Sequence, residues 1–560
     1  MSLQFITGNS GNGKTKYLFN RIVKEAKANP RDNYLVIVPE QFTMQTQRQL
    51  VDLSENKAIM NIDVLSFKRL AYRVFDELGI TNLTVLEETG KNLVLRKLAA
   101  QEADKLGVIG RNLNRIGYIS EVKSLLSELV QYNISPEELG RYIASGRLSD
   151  TLSDKLKDVL VLYEAFEKFM QDKYITAEEI LNVLSNVAEE SAILRNSVIA
   201  FDEFTGFTPI QNQLIKKLFV ISKKIYVTLT IDCREDIFKS RGMQELFDMP
   251  KRTVKSLTEM AAFYGIEVEE PIILDKNYRL AENEELSFME QQLFRKRRCS
   301  FKKAPKHIHI DCLRDPKQEL TKIARRINEL VRNENLRYRD IAIVTGDVNI
   351  YAGYVREIFD KYNIPYFIDA TQEILFHPFI EFIRSIPDIA AQNFSADAVF
   401  RFLRCGFSEL LDSEIDVLEN YVLACGVRGK SAWDKKWVRL PKHKAGYDLE
   451  LLNQSREYIM ELLKPVYQVF SDKKSTVKDY VLAIYKLIVL LDIPDKLAKK
   501  EQALLDAGDQ TASKEYGQIY KIVMQLFEKY VAVLGDECMD TEEFTQILDA
   551  GLDAADVAVI

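Results

Sequence analysis

Apolar residues change their spacing along this chain, and the changes predict its secondary structure. Residues 3–6 and 33–39 are nearly continuous apolar runs, which are typical of strands buried in a parallel sheet. From about residue 85 the apolar positions recur with helical spacing, as in residues 122–130. Strand patterns return at 197–201 and 225–231. We therefore expect an α/β domain that is interrupted by a helical insertion.

A second stretch of the chain repeats this plan. Residues 308–310, 340–344 and 364–368 have the composition of short strands, and the remainder is mostly helical. We expect an α/β fold with two parallel sheets, each carrying a helical insertion. The predicted segments are 1–84 with 191–300 for the first α/β domain, 85–190 for its insertion, 301–390 for the second α/β domain, 391–555 for its insertion, and 556–560 for the start of a returning strand segment.

A phosphate-binding loop lies between the first predicted strand and a helix at 17–26. It reads Gly8-Asn9-Ser10-Gly11-Asn12-Gly13-Lys14-Thr15, which fits the pattern G-x-x-x-x-G-K-[ST]. The glycines let backbone N–H groups point at a phosphate, and the helix adds its positive end. Lys14 is placed to reach the β- and γ-phosphates, and the Thr15 hydroxyl to hold Mg²⁺. The motif predicts binding of ATP or another nucleoside triphosphate; a glycine-rich turn is the alternative.

An acidic pair, Asp202-Glu203, ends the returning strand pattern. A phosphate loop needs such a partner: Asp202 would fix Mg²⁺ through its water shell, and Glu203 would polarise the attacking water. Acidic residues also commonly begin loops, so the pair alone is weak. Together with the loop at residues 8–15 it predicts metal and nucleotide contact.

Composition changes this picture only a little. A length of 560 residues suggests three or four domains. The six cysteines are scattered without a C-x-x-C pair, which indicates neither a disulfide framework nor a zinc site. Without an 18-residue apolar run or a signal-peptide layout we expect a cytoplasmic protein with no membrane partner. The net charge of −7 does not indicate nucleic-acid binding, although an acidic protein can carry a local basic channel.

Two basic stretches have competing interpretations. Residues 295–298, followed by Lys302, Lys303 and Lys306, are most simply a solvated linker. Lys435, Lys436, Arg439, Lys442 and Lys444 lie around Trp433 and Trp437, the only tryptophans. Basic groups among aromatic rings suit single-stranded DNA, yet large aromatic residues more often anchor a core.

Several motifs resemble known helicases. The stretch at 202–211 resembles the D-E-x-Q-D motif of UvrD-like superfamily-1 helicases, residues 65–70 resemble their T-F-H-x-L segment, and Asn277-Tyr278-Arg279 is similar to their N-Y-R motif. More narrowly, the chain resembles the AddB (RexB) family, the second subunit of the AddAB (RexAB) helicase–nuclease of bacterial double-strand-break repair. That resemblance lies in V-P-E-Q-F-T (38–43), F-T-G-F-T-P (204–209), Y-R-D-I-A-I-V (338–344), I-P-Y-F-I-D (364–369) and His377-Pro378.

The resemblance implies two P-loop RecA-like domains in a superfamily-1 architecture. It implies that Arg279 touches the γ-phosphate and acts in catalysis with Glu203. The implied partners are an AddA-type helicase–nuclease subunit, in a heterodimer, and single-stranded and duplex-end DNA. AddB-type subunits are helicase-shaped scaffolds that help to scan single-stranded DNA for the recombination signal Chi, and the resemblance implies the same role here.

Departures from the helicase pattern also carry information. No Q-motif precedes the phosphate loop, Thr205 and Gly206 replace a glutamine and an aspartate of the acidic motif, and no G-D-x-x-Q pattern follows residue 231. These losses favour a scaffold that binds ATP over an active superfamily-1 motor ATPase, which is the alternative. A compact P-loop kinase is a remote third possibility.

The apolar ending at 552–560 and the resemblance together indicate an amino-terminal fragment. In the family a nuclease domain with a cysteine-bound iron–sulfur cluster follows, so we expect that cluster only there and no nuclease activity here.

Overall fold

The computed structural model of this protein describes residues 1–558 except 82–84, 87, 108–117, 147, 172–173, 296–298, 369–370, 375, 442–446 and 554–555. The chain forms two compact units. The first unit comprises residues 1–86, 124–149 and 167–311, and the second comprises 87–123, 150–166 and 312–560.

The strands are mostly short and mostly parallel. They are β1 (Ser2–Gly8), β2 (Tyr34–Ile37), β3 (Ile62–Leu65), β4 (Val85–Leu86), β5 (Ile175–Thr176), β6 (Val198–Phe201), β7 (Lys224–Thr230), β8 (Glu267–Val268), β9 (Ile272–Leu274), β10 (Thr371–Glu373) and β11 (Asp556–Ala558). Seven of them form one parallel sheet in the first unit, in the order β3-β2-β6-β7-β1-β8, with β9 also pairing with β1. The predicted α/β class with a parallel sheet is confirmed.

Helices make up most of the remaining structure. The first eleven are α1 (Lys14–Ala28), α2 (Thr43–Leu53), α3 (Phe67–Leu78), α4 (Glu88–Gln101), α5 (Tyr118–Gln131), α6 (Pro136–Ala144), α7 (Asp150–Met170), α8 (Ile180–Val187), α9 (Pro209–Ile221), α10 (Asp248–Phe263) and α11 (Glu284–Gln292). The second unit continues with α12 (Pro316–Asn333), α13 (Asn349–Lys361), α14 (Pro378–Ala391), α15 (Ala396–Leu403), α16 (Asp412–Cys425), α17 (Lys430–Trp433), α18 (Leu449–Ser471), α19 (Val477–Leu490), α20 (Ile493–Asp506), α21 (Gln510–Leu534) and α22 (Thr541–Asp553). Among the helices in the described ranges, none is long and apolar enough to cross a membrane.

The large sheet is buried on both faces, which explains its continuous apolar strands. Successive side chains of a strand point to opposite faces, so Leu35 and Ile37 join one apolar cluster while Tyr34 and Val36 join another. Helices α3, α8, α9 and α10 contribute to the first cluster, and α1 and α2 to the second. The sheet is therefore a rigid base for the loops that leave its carboxyl ends.

The F-T-G-F-T-P motif begins helix α9. The Thr208 hydroxyl accepts a hydrogen bond from the Gln211 backbone N–H, and the Gln211 side chain accepts one from the Thr208 N–H. Pro209 occupies the first helical position, where its missing N–H costs nothing. Thr208 and Pro209 of this motif, together with Gln211 just beyond it, therefore define a helix start.

The three strands predicted for a second parallel sheet do not form in the described residues. Residues 308–310, 340–344 and 364–368 form no strand, so these three strand predictions are wrong in this structure. Ile310 and Val344 remain 94% and 93% exposed. The segments lack a neighbouring strand to complete a ladder, and an apolar run alone supplies none. The second RecA-like domain is not confirmed, and the domain boundaries given above stay predictions.

The second unit has a large helical core. Buried residues from α14 to α22 form one continuous apolar cluster that includes Trp433 and Trp437. At the end of the described chain β11 pairs with β10 in antiparallel orientation. A smaller cluster packs α12 against α13.

Candidate nucleotide-binding site

The phosphate loop lies at the carboxyl end of β1, where ligands bind in open parallel sheets. Gly11 and Gly13 have φ angles of +87° and +79°, in the left-handed region that favours glycine. A Cβ on Gly11 would lie 2.8 Å from the Asn277 Oδ1 atom and 2.9 Å from the Arg279 Cβ atom. Glycine at this position thus permits both the turn and a close approach by residues 277–279.

Residues 277–279 lie directly against the loop. The Asn277 side-chain amide donates to the Ser10 carbonyl at 2.9 Å, and the Tyr278 N–H donates to the Gly11 carbonyl at 3.0 Å. The side chains of Tyr278 and Arg279 line the cleft beside the loop. The N-Y-R segment is thus brought to the phosphate loop across more than 260 residues of sequence.

Lys14 is held by the loop's own backbone. Its ammonium group donates to the carbonyls of Gly8 and Asn9, both at 3.1 Å. Burial lowers the pKa of Lys14, while the charges of Glu203 and Asp202 oppose that change. A half-buried ammonium near two carboxylates is a suitable anchor for an anionic ligand.

Asp202 is almost fully buried where β6 ends. Its Oδ1 atom accepts a hydrogen bond from the Thr228 hydroxyl, while Oδ2 is buried without a hydrogen-bond partner among the described residues. Burial raises the pKa of Asp202, and the neighbouring charge of Glu203 raises it further. An unpaired buried carboxylate oxygen is costly unless a ligand or ion completes it.

Glu203 adopts an unusual backbone conformation. Its φ angle is +64°, which costs about 1 kcal/mol or more for a residue with a side chain. Its Oε1 atom accepts a hydrogen bond from the Thr15 hydroxyl at 3.3 Å. The left-handed turn therefore brings the second carboxylate of the acidic pair to the Thr15 hydroxyl of the loop.

These groups surround one cleft of about 730 Å³. The predicted site residues that line it are Ser10, Gly11, Gly13, Lys14, Thr15, Asp202, Glu203 and Arg279. Gly8, Asn9 and Asn12, which we predicted as nucleotide contacts, are not among its lining residues. Asn9 and Asn12 are 5% and 2% exposed, and their side chains bond to neighbouring elements of the fold.

Sequence reasoning missed several groups in the cleft. Thr228 and Thr230 of β7 line it, as does Tyr278. A signal for the threonines was available, because they are the polar positions of an otherwise apolar buried strand. For Tyr278 the signal was the N-Y-R segment, because the resemblance that implied a γ-phosphate contact for Arg279 also implied that its neighbour lies close by.

Residues 39–43 and residues 66–69, which belong to two of the motifs quoted above, are joined by one carboxylate. Glu40 accepts hydrogen bonds from the Ser66 hydroxyl and from Arg69 Nε, the latter at 2.8 Å. Ser66 also caps helix α3 by accepting from the Arg69 backbone N–H at 3.3 Å. These bonds, first that from Ser66, lower the pKa of Glu40. Residues 39–43 and 66–69 thus form one surface with a charged centre.

The two basic stretches combine packed and exposed residues where they are described. Their exposed basic residues are Lys302, Lys303, Lys306, Lys435, Lys436 and Arg439. The Arg295 Nε atom lies 3.0 Å from the Asp232 Oδ2 atom, and the guanidinium covers the Phe247 ring at 4.8 Å. Arg295 is therefore not the solvated residue that a linker would have; 296–298 lie outside the described residues. Trp433 and Trp437 are 0% and 6% exposed, which supports the core interpretation of the second stretch. Lys442 and Lys444 lie outside the described residues.

Comparison with known proteins places the chain in a family. The model of the family described as "ADDB, N-terminal" matches residues 5–290. Proteins named as a subunit of an ATP-dependent helicase/deoxyribonuclease are similar over almost the whole chain. That of Lachnoclostridium phytofermentans is 38% identical over 100% of this chain and 49% of its own length. Those of Clostridium acetobutylicum and Clostridioides difficile are 32% and 31% identical, over 99% and 100% of this chain and 48% and 49% of their own.

The chain thus spans about half the length of these relatives. The family match covers the phosphate loop, the acidic pair and the N-Y-R segment together. This chain belongs to the AddB family, matching the family's amino-terminal region.

Proposed function

We propose that this chain binds ATP and Mg²⁺ in the cleft at residues 8–15, as the helicase-like region of a subunit of a bacterial ATP-dependent helicase/deoxyribonuclease. The name of the relatives supports membership of such a complex, and the residues of the cleft support nucleotide binding. The single observation that carries ATP binding is the convergence of Lys14, Thr15 and Arg279 with the acidic pair on one cleft.

The residues present fit a magnesium nucleotide. Mg²⁺ prefers hard oxygen ligands; it is usually coordinated by few protein groups and keeps several water molecules. The Thr15 hydroxyl and the Oδ2 atom of Asp202 are such oxygens, and these two residues would hold the ion. The ion would supply charge neutralisation to the phosphates.

The remaining cleft residues have separable roles in this proposal. Backbone N–H groups of the loop and the Lys14 ammonium bind the phosphates, and Arg279, which lines the same cleft, meets the γ-phosphate. Glu203 orients a water molecule. Tyr278, which is 65% exposed, presents its ring at the edge of the cleft.

Binding and hydrolysis are distinct proposals. Thr205 lines the cleft at the position where superfamily-1 motors carry the glutamine that senses the γ-phosphate. A threonine is too short to span the same distance, so we propose a nucleotide-binding scaffold with little hydrolysis. The second candidate, an active DNA motor, is favoured by the presence of both Glu203 and Arg279 in the cleft.

We further propose that single-stranded DNA crosses the surface formed by residues 39–43 and 66–69, and that this subunit scans it for Chi. Lys68 and Arg69 supply positive charge, and backbone and hydroxyl donors suit phosphates. Because the net charge is −7 and Glu40 occupies part of the surface, the chain alone should bind DNA weakly and with strong salt dependence. An AddA-type partner would complete the channel.

Nucleotide binding is tested by calorimetry with ATP and Mg²⁺. Replacing Lys14 by Ala removes a charged donor, so affinity should fall at least about tenfold. Lys24→Ala, an exposed position on the same helix α1, is the matched control and should bind ATP as the wild type does. Equal binding by wild type and Lys14→Ala would refute the assignment.

Hydrolysis is tested by ATPase assays with and without single-stranded DNA, on the chain alone and with its partner subunit. A scaffold shows no stimulation by DNA, and this chain alone should displace no strand from a duplex. Strong DNA stimulation that Glu203→Gln abolishes would instead establish a motor.

The DNA path is tested by cross-linking a photoreactive oligonucleotide. Labelling at residues 39–43 and 66–69 supports the path, and labelling confined to the second unit contradicts it.

A further inference from the structure

A closed ring of polar contacts lies behind the phosphate loop, on residues outside the cleft lining. Asn9 is its centre: the Cys233 N–H donates to the Asn9 Oδ1 atom at 2.9 Å, and Asn9 Nδ2 donates to the Glu290 Oε1 atom at 2.9 Å. Both polar groups of a nearly buried amide are thus fixed by elements other than the loop itself. One is the turn after β7 and the other is helix α11.

The ring continues through two further charges. Arg295 Nη2 lies 3.8 Å from the Glu290 Oε1 atom, and Arg295 Nε lies 3.0 Å from the Asp232 Oδ2 atom. Asp232 has a side chain only 1% exposed and precedes Cys233, whose N–H returns to Asn9. Buried or half-buried charges in such a ring restrict one another to a single arrangement.

The ring reaches the chemistry of the loop through one backbone atom. The carbonyl of Asn9 accepts a hydrogen bond from the Lys14 ammonium at 3.1 Å. Fixing the Asn9 side chain therefore fixes a carbonyl that orients Lys14. Burial lowers the pKa of Lys14, and the charge of Glu290 is among those that oppose this change. The Glu290 carboxylate is therefore within electrostatic reach of the ammonium.

We infer that Glu290 is a positioning residue for the phosphate loop, acting through Asn9 to set the place of the Lys14 ammonium. This inference rests on the proposed binding of ATP. It assigns a role in nucleotide affinity to a residue of helix α11 that lies outside the phosphate loop and outside the cleft lining.

The test uses three variants of the whole chain and a fluorescent ATP analogue, with ATP and AMP as competitors. Glu290→Ala removes the acceptor for Asn9, and we expect its ATP affinity to fall about tenfold, as for other residues that orient a ligating group. Glu290→Gln keeps an oxygen acceptor at the same place and should stay within about twofold of the wild type. Glu284→Ala, on the same helix in an exposed pair with Lys303, is the matched control and should not change affinity.

Phosphate dependence separates positioning from general loosening of the fold. AMP lacks the β- and γ-phosphates that Lys14 meets, so Glu290→Ala should change AMP affinity less than about twofold. A variant that merely loosened the unit would weaken both nucleotides alike, and Gln would not rescue it.

The outcomes distinguish the two levels of the proposal. No ATP binding by the wild type overturns both the proposed function and this inference. ATP binding by the wild type with equal affinity in Glu290→Ala overturns the inference alone, as does an equal loss for ATP and AMP. A loss specific to ATP that Gln rescues supports it.

Discussion

The cleft of the first unit can be compared with a tryptophan cluster in the second unit, formed by Trp433, Trp437, Asn453 and Arg456. Both regions combine basic residues with aromatic rings, but their buried polar atoms differ in how many have hydrogen-bond partners. In the cleft, Asp202 keeps a buried oxygen without a hydrogen bond among the described residues, and Glu203 holds a left-handed backbone. In the cluster, Arg456 is 5% exposed and donates to the Trp433 carbonyl at 2.8 Å and to the Asn453 Oδ1 atom at 3.2 Å.

The side-chain amide of Asn453 also has hydrogen-bond partners for both its oxygen and its nitrogen. Asn453 Nδ2 donates to the Trp437 carbonyl at 2.9 Å, and the Trp437 N–H donates back to Asn453 at 2.8 Å. The Trp433 indole nitrogen is an exception, since it is buried with no partner in the part of the chain that the structure describes. Arg456 and Asn453 thus bond each other and the backbone, which leaves these two side chains little capacity to bind a ligand.

This difference in hydrogen bonding indicates which of the two regions can bind a ligand. Unpaired buried oxygens and strained backbone persist where a fold gives up stability for function, whereas closed networks rigidify a core. Changes in the tryptophan cluster should therefore lower stability without altering ligand binding, whereas changes in the cleft should alter ligand binding without lowering stability.

Trp433→Ala should show the largest effect on stability. Removing a fully buried indole leaves a cavity in the helical core, and we expect the free energy of unfolding to fall by about 4 kcal/mol. Denaturant titration measures this, and ATP affinity should stay unchanged in the folded fraction. Trp433→Phe, which fills most of the space, is the milder variant. A loss of ATP affinity in Trp433→Phe at full folding would break the comparison.

Arg456→Met should cost about 3 kcal/mol of unfolding free energy, because it leaves the Trp433 carbonyl and the Asn453 oxygen without a charged donor. Affinity for single-stranded DNA should not change if the cluster is only a core. Fluorescence anisotropy with a labelled oligonucleotide checks this. Weaker DNA binding by a fully folded Arg456→Met would revive the nucleic-acid interpretation of the basic aromatic stretch.

The first sheet was predictable because its signals are local. Strands β2 and β6 are continuous apolar runs, β1 and β7 are largely apolar, and the phosphate loop carries its own strand–loop–helix context. Residues 308–310, 340–344 and 364–368 show equally apolar runs, yet a strand needs a partner that composition does not specify. That is why the first prediction of a parallel sheet holds and the second does not.

The candidate site was predictable in its residue types and less so in its contacts. Lys14, Thr15, Asp202 and Glu203 meet as their motifs imply. Asn9 was assigned to the nucleotide because it lies within the loop, but its amide bonds Cys233 and Glu290, more than 220 residues away. Spacing within a motif cannot report contacts of that sequence separation.

His377→Asn should change the acid sensitivity of the second unit. His377 caps helix α14, is 3% exposed and has a buried Nε2 atom without a partner among the described residues, and burial lowers its pKa to about 4. The unfolded chain binds the proton more readily, so this histidine's contribution is present above about pH 6.5 and is lost as pH falls toward 4.

Between about pH 7 and pH 5 that loss amounts to about 2 kcal/mol for the wild type. Asn replaces the Nδ1 acceptor of the histidine with a capping oxygen that does not titrate, so His377→Asn should lose about that much less stability over the same interval. Urea titrations at the two pH values measure the difference. Identical pH dependence in wild type and variant would show that His377 does not titrate as a buried neutral group.

Asp202→Asn should raise stability slightly while weakening the cleft. Burial raises the pKa of Asp202 in the folded chain, so ionisation at neutral pH penalises the fold, and the penalty disappears as pH falls below that pKa. Removing the charge while keeping an acceptor for Thr228 should therefore add about 1 kcal/mol to the free energy of unfolding at about pH 7, and less in acid. The same variant should lose the Mg²⁺ dependence of ATP binding, measured by titrating ATP with and without the metal. Asp202→Asn that destabilises the chain at neutral pH and retains that Mg²⁺ dependence would make Asp202 a structural residue, and the contrast between the cleft and the tryptophan cluster would no longer hold.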